Sequence, residues 1–132
     1  MEYPYACTIG LGSNTPDREA QIKDAIDHIC DYLSRASVST VYESPAINGK
    51  DAPYLNAVIH GLSPVGSPAL ISFLKEWERD KGRTESAPGE VPIDLDLVIF
   101  NSRILRPKDF ERHYFNRGYR ELLANGAFLI DN

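Results

Sequence analysis

The chain has 132 residues, a formal net charge of −5 at pH 7, and 42% hydrophobic against 25% charged residues. Those proportions exclude a disordered chain, and the length supports one packed core rather than two, so residues 1–132 are expected to form a single domain. No apolar run approaches the ~18–20 residues of a membrane span, and an acidic balance without a Lys/Arg run argues against a general nucleic-acid binder. The opening Met1-Glu2-Tyr3-Pro4-Tyr5 lacks the basic and apolar regions of a secretory signal. Cys7 and Cys30 fall in apolar patterns, as buried free thiols do, so a cytoplasmic protein is expected.

The first strand reads Tyr5 to Leu11, with Cys7, Ile9 and Leu11 on one face by alternation, and Gly12-Ser13-Asn14 breaks it. Thr15 is placed to cap a helix with Pro16 at its first position; Ile22, Ala25, Ile26, Ile29, Cys30 and Leu33 then form one apolar stripe. A second strand covers Val38 to Tyr42, and Glu43 to Pro53 reads as a long loop. Tyr54 to His60 forms a third strand. Ser67-Pro68 opens a second helix with Leu70, Ile71, Leu74 and Trp77 on one face, ended by Gly82. After a loop from Thr84 to Pro92, Ile93 to Phe100 is a fourth strand, and Asn101-Ser102 turns into a short strand at Arg103 to Leu105. The remainder is polar around His113 and helical from Gly118 to Ala124. The order β-α-β-β-α-β predicts an α+β, ferredoxin-like sandwich: an antiparallel sheet with both helices on one face and the other left for loops and ligands.

The strongest chemical signal is Asp94-Leu95-Asp96. Residues two apart on a strand share a face, so Ile93, Leu95, Leu97 and Ile99 point toward the helices and the two carboxylates stand together opposite. Such a pair repels unless a cation compensates; Mg²⁺ suits it, and two solvated acids on an exposed face are the plain alternative. Gly12-Ser13-Asn14, between a strand and a helix start, is either an anion-binding turn or a turn only. Asn56 interrupts an apolar strand on the side of Tyr54 and Val58, where its amide either reads the edge of a heterocycle or closes a ladder hydrogen bond. Glu78 reads as a helix-surface charge or a functional acid, and Arg83 as a phosphate clamp or a solvated cation. His113 and Arg117 lie in a polar segment beside Tyr114, Phe115 and Tyr119.

Taken in order, Gly10-Leu11-Gly12-Ser13-Asn14, Tyr42-Glu43-Ser44-Pro45, Tyr54-Leu55-Asn56-Ala57, Glu78 with Gly82-Arg83, Asp94-Leu95-Asp96-Leu97, and His113 with Arg117-Gly118-Tyr119 resemble the 6-hydroxymethyl-7,8-dihydropterin pyrophosphokinases of folate biosynthesis. The resemblance implies transfer of diphosphate from ATP to the pterin hydroxymethyl group with release of AMP. It implies Asp94 and Asp96 as ligands of two Mg²⁺ ions, with Arg83 beside them in catalysis. Asn56 would bond the pterin, Tyr54 and Tyr119 would sandwich it, and Ser44, Pro45 and Ile47 would shape its pocket. Glu78, Arg83, His113 and Arg117 would lie on the nucleotide side. The implied partners are these small molecules, for a monomer or weakly associated chain that engages neither nucleic acid nor membrane.

Two departures stand out. Where the family carries an arginine shortly before the aspartates, this chain has Val91, in Gly89-Glu90-Val91-Pro92, and the loop from Thr84 to Pro88 is short and lacks the basic and tryptophan residues of a lid. Arg103, Arg106, Arg112 and Arg120 are the candidate replacements. The alternative to a working diphosphokinase is a degenerate relative that binds pterin or nucleotide without efficient transfer.

Overall fold

The computed structural model describes residues 3–82 and 86–131. The alternation read in the first strand makes it the centre of the fold. β1 (Tyr5–Ser13) pairs antiparallel on one side with β4 (Tyr54–Ser63) and on the other with β5 (Asp94–Phe100). β2 (Ser34–Val38) and β3 (Tyr42–Ser44) follow one another along the outer edge of β4, and β6 (Arg103–Ile104) closes the far edge. α1 (Arg18–Tyr32) and α2 (Ser67–Asp80) cover one face of this ferredoxin-like sheet. Cys7, Ile9 and Leu11 of β1, Ala57 and Ile59 of β4, and Leu95 and Leu97 of β5 meet Ile22, Ala25, Ile29, Leu70 and Leu74 there. Both cysteines are free, and burial pushes the Cys7 thiol up to about 12.

Several expectations need correction. β1 runs on through Ser13, and Thr15 does not cap α1. Its hydroxyl donates to Asp17 Oδ1 (2.6 Å) while its carbonyl accepts from Arg18, a turn that delays the helix to Arg18. The second strand is split, and residues 39–41 form the break. There Ser39 exchanges bonds with Val58, its amide donating to the Val58 carbonyl and its hydroxyl accepting from the Val58 amide (2.9 Å each), so a side chain replaces a ladder acceptor. Ile99 turns away from the helices because Ile9 pairs with Leu97 but Thr8 with Ile99, leaving Val98 as the extra residue of a bulge. Ile71, expected on the buried stripe of α2, is 38% exposed, whereas Glu78 is 6% exposed.

The second face of the sheet is only partly open. After α3 (Pro107–Glu111), α4 (His113–Ala124) takes in the polar segment expected to precede it, and a 3-10 turn (Ala127–Asp131) follows. Phe115, Leu122 and Ala127 pack on Val58 and Val98, a second small core. Gly118 permits this approach: a Cβ there would stand 2.5 Å from Val58 Cγ2. The closing turn is tied to the sheet by His60, which is 1% exposed. Its Nδ1 lies 2.7 Å from Thr8 Oγ1, its Nε2 lies 2.6 Å from Asp131 Oδ1, and its ring stacks on Phe128 at 3.9 Å. Among the described residues no helix is long and apolar enough to cross a membrane.

Candidate active site

The site grows from strand register. On the face that carries α4, Asn56 of β4, Gly12 of β1 and Asp94 of β5 stand abreast beyond the helix, and one step along Val58, Gly10 and Asp96 do the same at the edge of Phe115. Side chains at adjacent positions across a ladder lie about 5 Å apart. The two glycines therefore form a bare floor between an amide on one side and two carboxylates on the other. A Cβ at Gly12 would already touch Tyr54 Cδ2 (3.4 Å) and Asn56 Oδ1 (3.5 Å).

Above that floor lies a cavity of about 360 Å³, walled by Tyr54, Asn56, Ser44 to Asn48, Asp51, Tyr114 and Phe115, with Asp94 at one end. That volume suits a bicyclic heterocycle. Asn56 Nδ2 donates to Ser44 Oγ (2.8 Å) and to the Tyr42 carbonyl (3.2 Å), so its amide is fixed before any ligand arrives and its carbonyl oxygen faces the Gly12 floor. Ser44, Pro45, Ile47, Tyr54 and Asn56 thus come together as the resemblance implied. Tyr119 does not: its ring packs among Phe110, Phe115 and Phe128 in the second core. The spacing Phe115, Tyr119, Leu122 on α4 is a helical core stripe, which explains the displacement. Tyr114 and Phe115, one turn earlier, reach the cavity in its place.

At the other end, Asp94 and Asp96 face each other closely enough to share a hydrogen bond. Burial, then the charge and hydrogen bond of Asp94, push Asp96 up to about 7, against the pull of Lys75 and Arg106. Burial and a neighbouring carboxylate both disfavour charge on Asp96, and a cation bound between the two acids relieves both. The donor set fits Mg²⁺ of one kind: two hard oxygens side by side, and among the described residues no cluster of three His, Cys, Asp or Glu that would form an all-protein cage. Such a pair suits an ion whose remaining ligands are water and phosphate.

Sequence reasoning missed what surrounds these acids. Beyond β6, which pairs only with Ile99 and Phe100, the outer edge of β5 is met by α2. Glu78 Oε2 accepts from the Leu95 amide (2.7 Å), and Lys75 Nζ donates to the Leu95 carbonyl (2.9 Å) and to Glu78 Oε2 (2.9 Å). Glu78 is therefore no surface charge; it is a buried strut that fixes the strand carrying both aspartates. Its place four residues after Leu74 and eight after Leu70 put it on the buried stripe, a signal available in the spacing. Lys75 also stands 3.4 Å from Asp96 Oδ1, and Arg106 Nη2 3.8 Å from it. Arg106 pairs through Nε with Asp109, whose other oxygen accepts from the Tyr114 hydroxyl. Of the four arginines proposed as replacements, Arg106 is the one with an ion pair to the aspartates. Burial is the main cause holding the Tyr114 hydroxyl far above its ordinary value.

His113 and Arg117 gather elsewhere, on Tyr42: the His113 ring meets it edge-on at 6.1 Å and the Arg117 guanidinium lies 5.0 Å above it. Arg83 lies outside the described residues. Gly12-Ser13-Asn14 is not an anion-binding turn at a helix start, because the Asn14 amide is spent on the Val91 carbonyl (3.1 Å). Asn14 instead knots three segments: its Oδ1 accepts from the Val91 amide (2.6 Å), and its Nδ2 donates to the carbonyls of Ala52 (3.2 Å) and Gly89 (2.8 Å).

Comparisons with known proteins identify the family. The sequence profile described as 7,8-dihydro-6-hydroxymethylpterin-pyrophosphokinase matches residues 8–124. The 2-amino-4-hydroxy-6-hydroxymethyldihydropteridine pyrophosphokinase of Aquifex aeolicus is 32% identical over 102 residues, covering 76% of this chain and 64% of that protein. A folate synthesis bifunctional protein of Arabidopsis thaliana is 34% identical over 96 residues, 70% of this chain and 20% of its own length. The Bacillus subtilis pyrophosphokinase is 29% identical over 97 residues, 70% of this chain and 58% of its own. The chain spans under two thirds of the length of these relatives. With the profile matched over nearly the whole chain and the open sheet face built as described, the chain belongs to the 7,8-dihydro-6-hydroxymethylpterin-pyrophosphokinase family.

Proposed function

We propose that this chain transfers diphosphate from ATP to the hydroxymethyl group of 6-hydroxymethyl-7,8-dihydropterin and releases AMP. The observation that carries the reading is the register Asn56–Gly12–Asp94, which opens a heterocycle-sized cavity directly onto a carboxylate pair. In this reading the Asn56 carbonyl oxygen accepts from the pterin edge while Tyr54 and Phe115 supply apolar walls. The hydroxymethyl oxygen then points along the glycine floor toward the acids, where the triphosphate tail lies. A new bond forms from that oxygen to the β-phosphorus as the β-phosphorus–oxygen bond to AMP breaks and the hydroxyl proton passes to solvent. Catalysis of this type is mainly alignment and charge neutralisation.

Asp94 and Asp96 are the residues that would hold Mg²⁺, two ions by the family resemblance, and the metal would supply neutralisation of charge on the phosphate oxygens. Glu78 keeps the aspartates in place by fixing the Leu95 amide. Lys75 and Arg106 beside Asp96 favour a working enzyme over a merely binding relative, since Val91 contributes no charge. The working picture is a cytoplasmic monomer of one domain acting on small molecules, with neither nucleic acid nor membrane as a partner; the net charge of −5 supports the absence of a general nucleic-acid partner. The test is AMP release from ATP at saturating Mg²⁺, with and without the hydroxymethyl pterin. Pterin-dependent AMP is expected; nucleotide binding without AMP release would replace transfer with binding alone.

A further inference from the structure

We propose that Lys75 is a phosphate-binding residue that rests on Asp96 as an internal counter-ion and passes to the nucleotide when metal takes the carboxylate. The proposal rests on the diphosphokinase reading and names the cation that reading leaves open, since Val91 supplies no positive charge where the family resemblance places an arginine.

The ammonium group of Lys75 has three donors. Two make short bonds, to Glu78 Oε2 and to the Leu95 carbonyl at 2.9 Å each, and the third faces Asp96 Oδ1 at 3.4 Å. The first two bonds anchor the group at the edge of β5; the third is an ion pair of loose geometry, readily exchanged for another anion. Lys75 is also placed to meet solvent: its side chain is 38% exposed, against 8% for Glu78 and 15% for Asp96. The residue therefore links the interior strut to the open site.

Charge settles which way it moves. Without metal, Lys75 and Arg106 are the described cations paired with Asp96, and Arg106 is already engaged by Asp109 through its Nε. A divalent ion on the carboxylates cancels the attraction that holds the third donor and sets two positive centres within a few ångströms of each other. A phosphate oxygen brought in on that ion is the nearest new acceptor. The ammonium can reach it by rotating its flexible stem while keeping Glu78 and Leu95. A purely structural lysine at this place would cap the strand edge and do nothing more.

The two roles differ in sign. Lys75→Met removes a competitor of the metal and a partner of the phosphate together. Binding of Mn²⁺ alone, read by its paramagnetic resonance signal, should tighten by about threefold. Binding of Mg²⁺ with an ATP analogue carrying a methylene bridge between the α- and β-phosphorus, read by calorimetry, should weaken by about tenfold or more. Lys75→Gln, which keeps a donor for the Leu95 carbonyl, should show the same opposite shifts if the methionine variant fails to fold, and Lys75→Arg should stay within about threefold of wild type for the nucleotide. Both constants unchanged, or both weakened together, would overturn the assignment of Lys75 while wild-type turnover left the diphosphokinase reading standing. A wild-type chain that binds no nucleotide with Mg²⁺ would overturn both.

Discussion

The two ends of the glycine floor are built on opposite principles. At the β4 end the polar groups are fixed in advance: Asn56 Nδ2 is held by Ser44 and the Tyr42 carbonyl, which leaves its Oδ1 oriented as an acceptor, and the Tyr42 hydroxyl bridges the Tyr114 carbonyl and the Gly118 amide. At the β5 end two carboxyls crowd each other, burial and Asp94 push Asp96 up to about 7, and the compensating cations are borrowed from α2 and the residues before α3. The first end is complete without its ligand and selects by shape and hydrogen bonding. The second crowds two acids that Lys75 and Arg106 offset in part, so a cation bound there gains affinity from the removal of repulsion.

The largest effect is expected at the acids. Asp96→Ala should lower Mg²⁺-dependent nucleotide affinity by about 100-fold, measured by calorimetry with and without the metal, while circular dichroism shows the fold retained. Unchanged affinity would mean that the frustrated end is not where the nucleotide tail is held. At the preformed end, Asn56→Ala should weaken pterin binding by about 10- to 100-fold and leave nucleotide affinity nearly untouched, since it removes a pre-oriented acceptor and leaves Ser44 unpaired.

A stability measurement sharpens the contrast further. The folded protein holds a proton on Asp96 that the unfolded chain releases between its ordinary value of 3.8 and about 7, so the folded state binds more protons in that window and stability falls as pH rises through it. Asp96→Asn should therefore stabilise the metal-free protein by about 1–2 kcal/mol at pH 8 and by little at pH 4, measured by urea unfolding. Equal effects at both pH values would mean that the acid pair stores no repulsion. The smallest effect is expected from Val91→Arg. With Lys75 and Arg106 already at Asp96, restoring the missing arginine should raise nucleotide affinity by less than about threefold; a large gain would show that the borrowed cations do not fill its place.

How much of this was legible beforehand follows from the range of each interaction. The apolar alternation of β1 and β4 and the stripe of α1 are local patterns, and they placed Cys7, Ile9, Ala57, Ile29 and the aspartate pair on the correct faces. Ile99 was misplaced because a bulge at Val98 depends on pairing with β1, which no window of β5 alone contains. Family order places Tyr119 at the pterin, whereas helical period, the 115–119–122 stripe of α4, places its ring in the second core, where the structure has it. Lys75 carries no signal in the sequence, and Arg106 is one of four equivalent candidates there, because surface cations become site residues only once α2 and the segment before α3 are laid along β5.

The imidazole of His60 carries a practical consequence. The family profile stops at residue 124, yet this ring in the middle of β4 is held from beyond it, by Asp131 on one nitrogen and Phe128 on its face. Trimming a shortened version to the family boundary would strip a buried heterocycle of its carboxylate and its lid at once, and would uncover the apolar bed of Val58 and Val98 from behind. Anyone engineering this domain should treat the seven positions that follow Ala124 as part of its foundation.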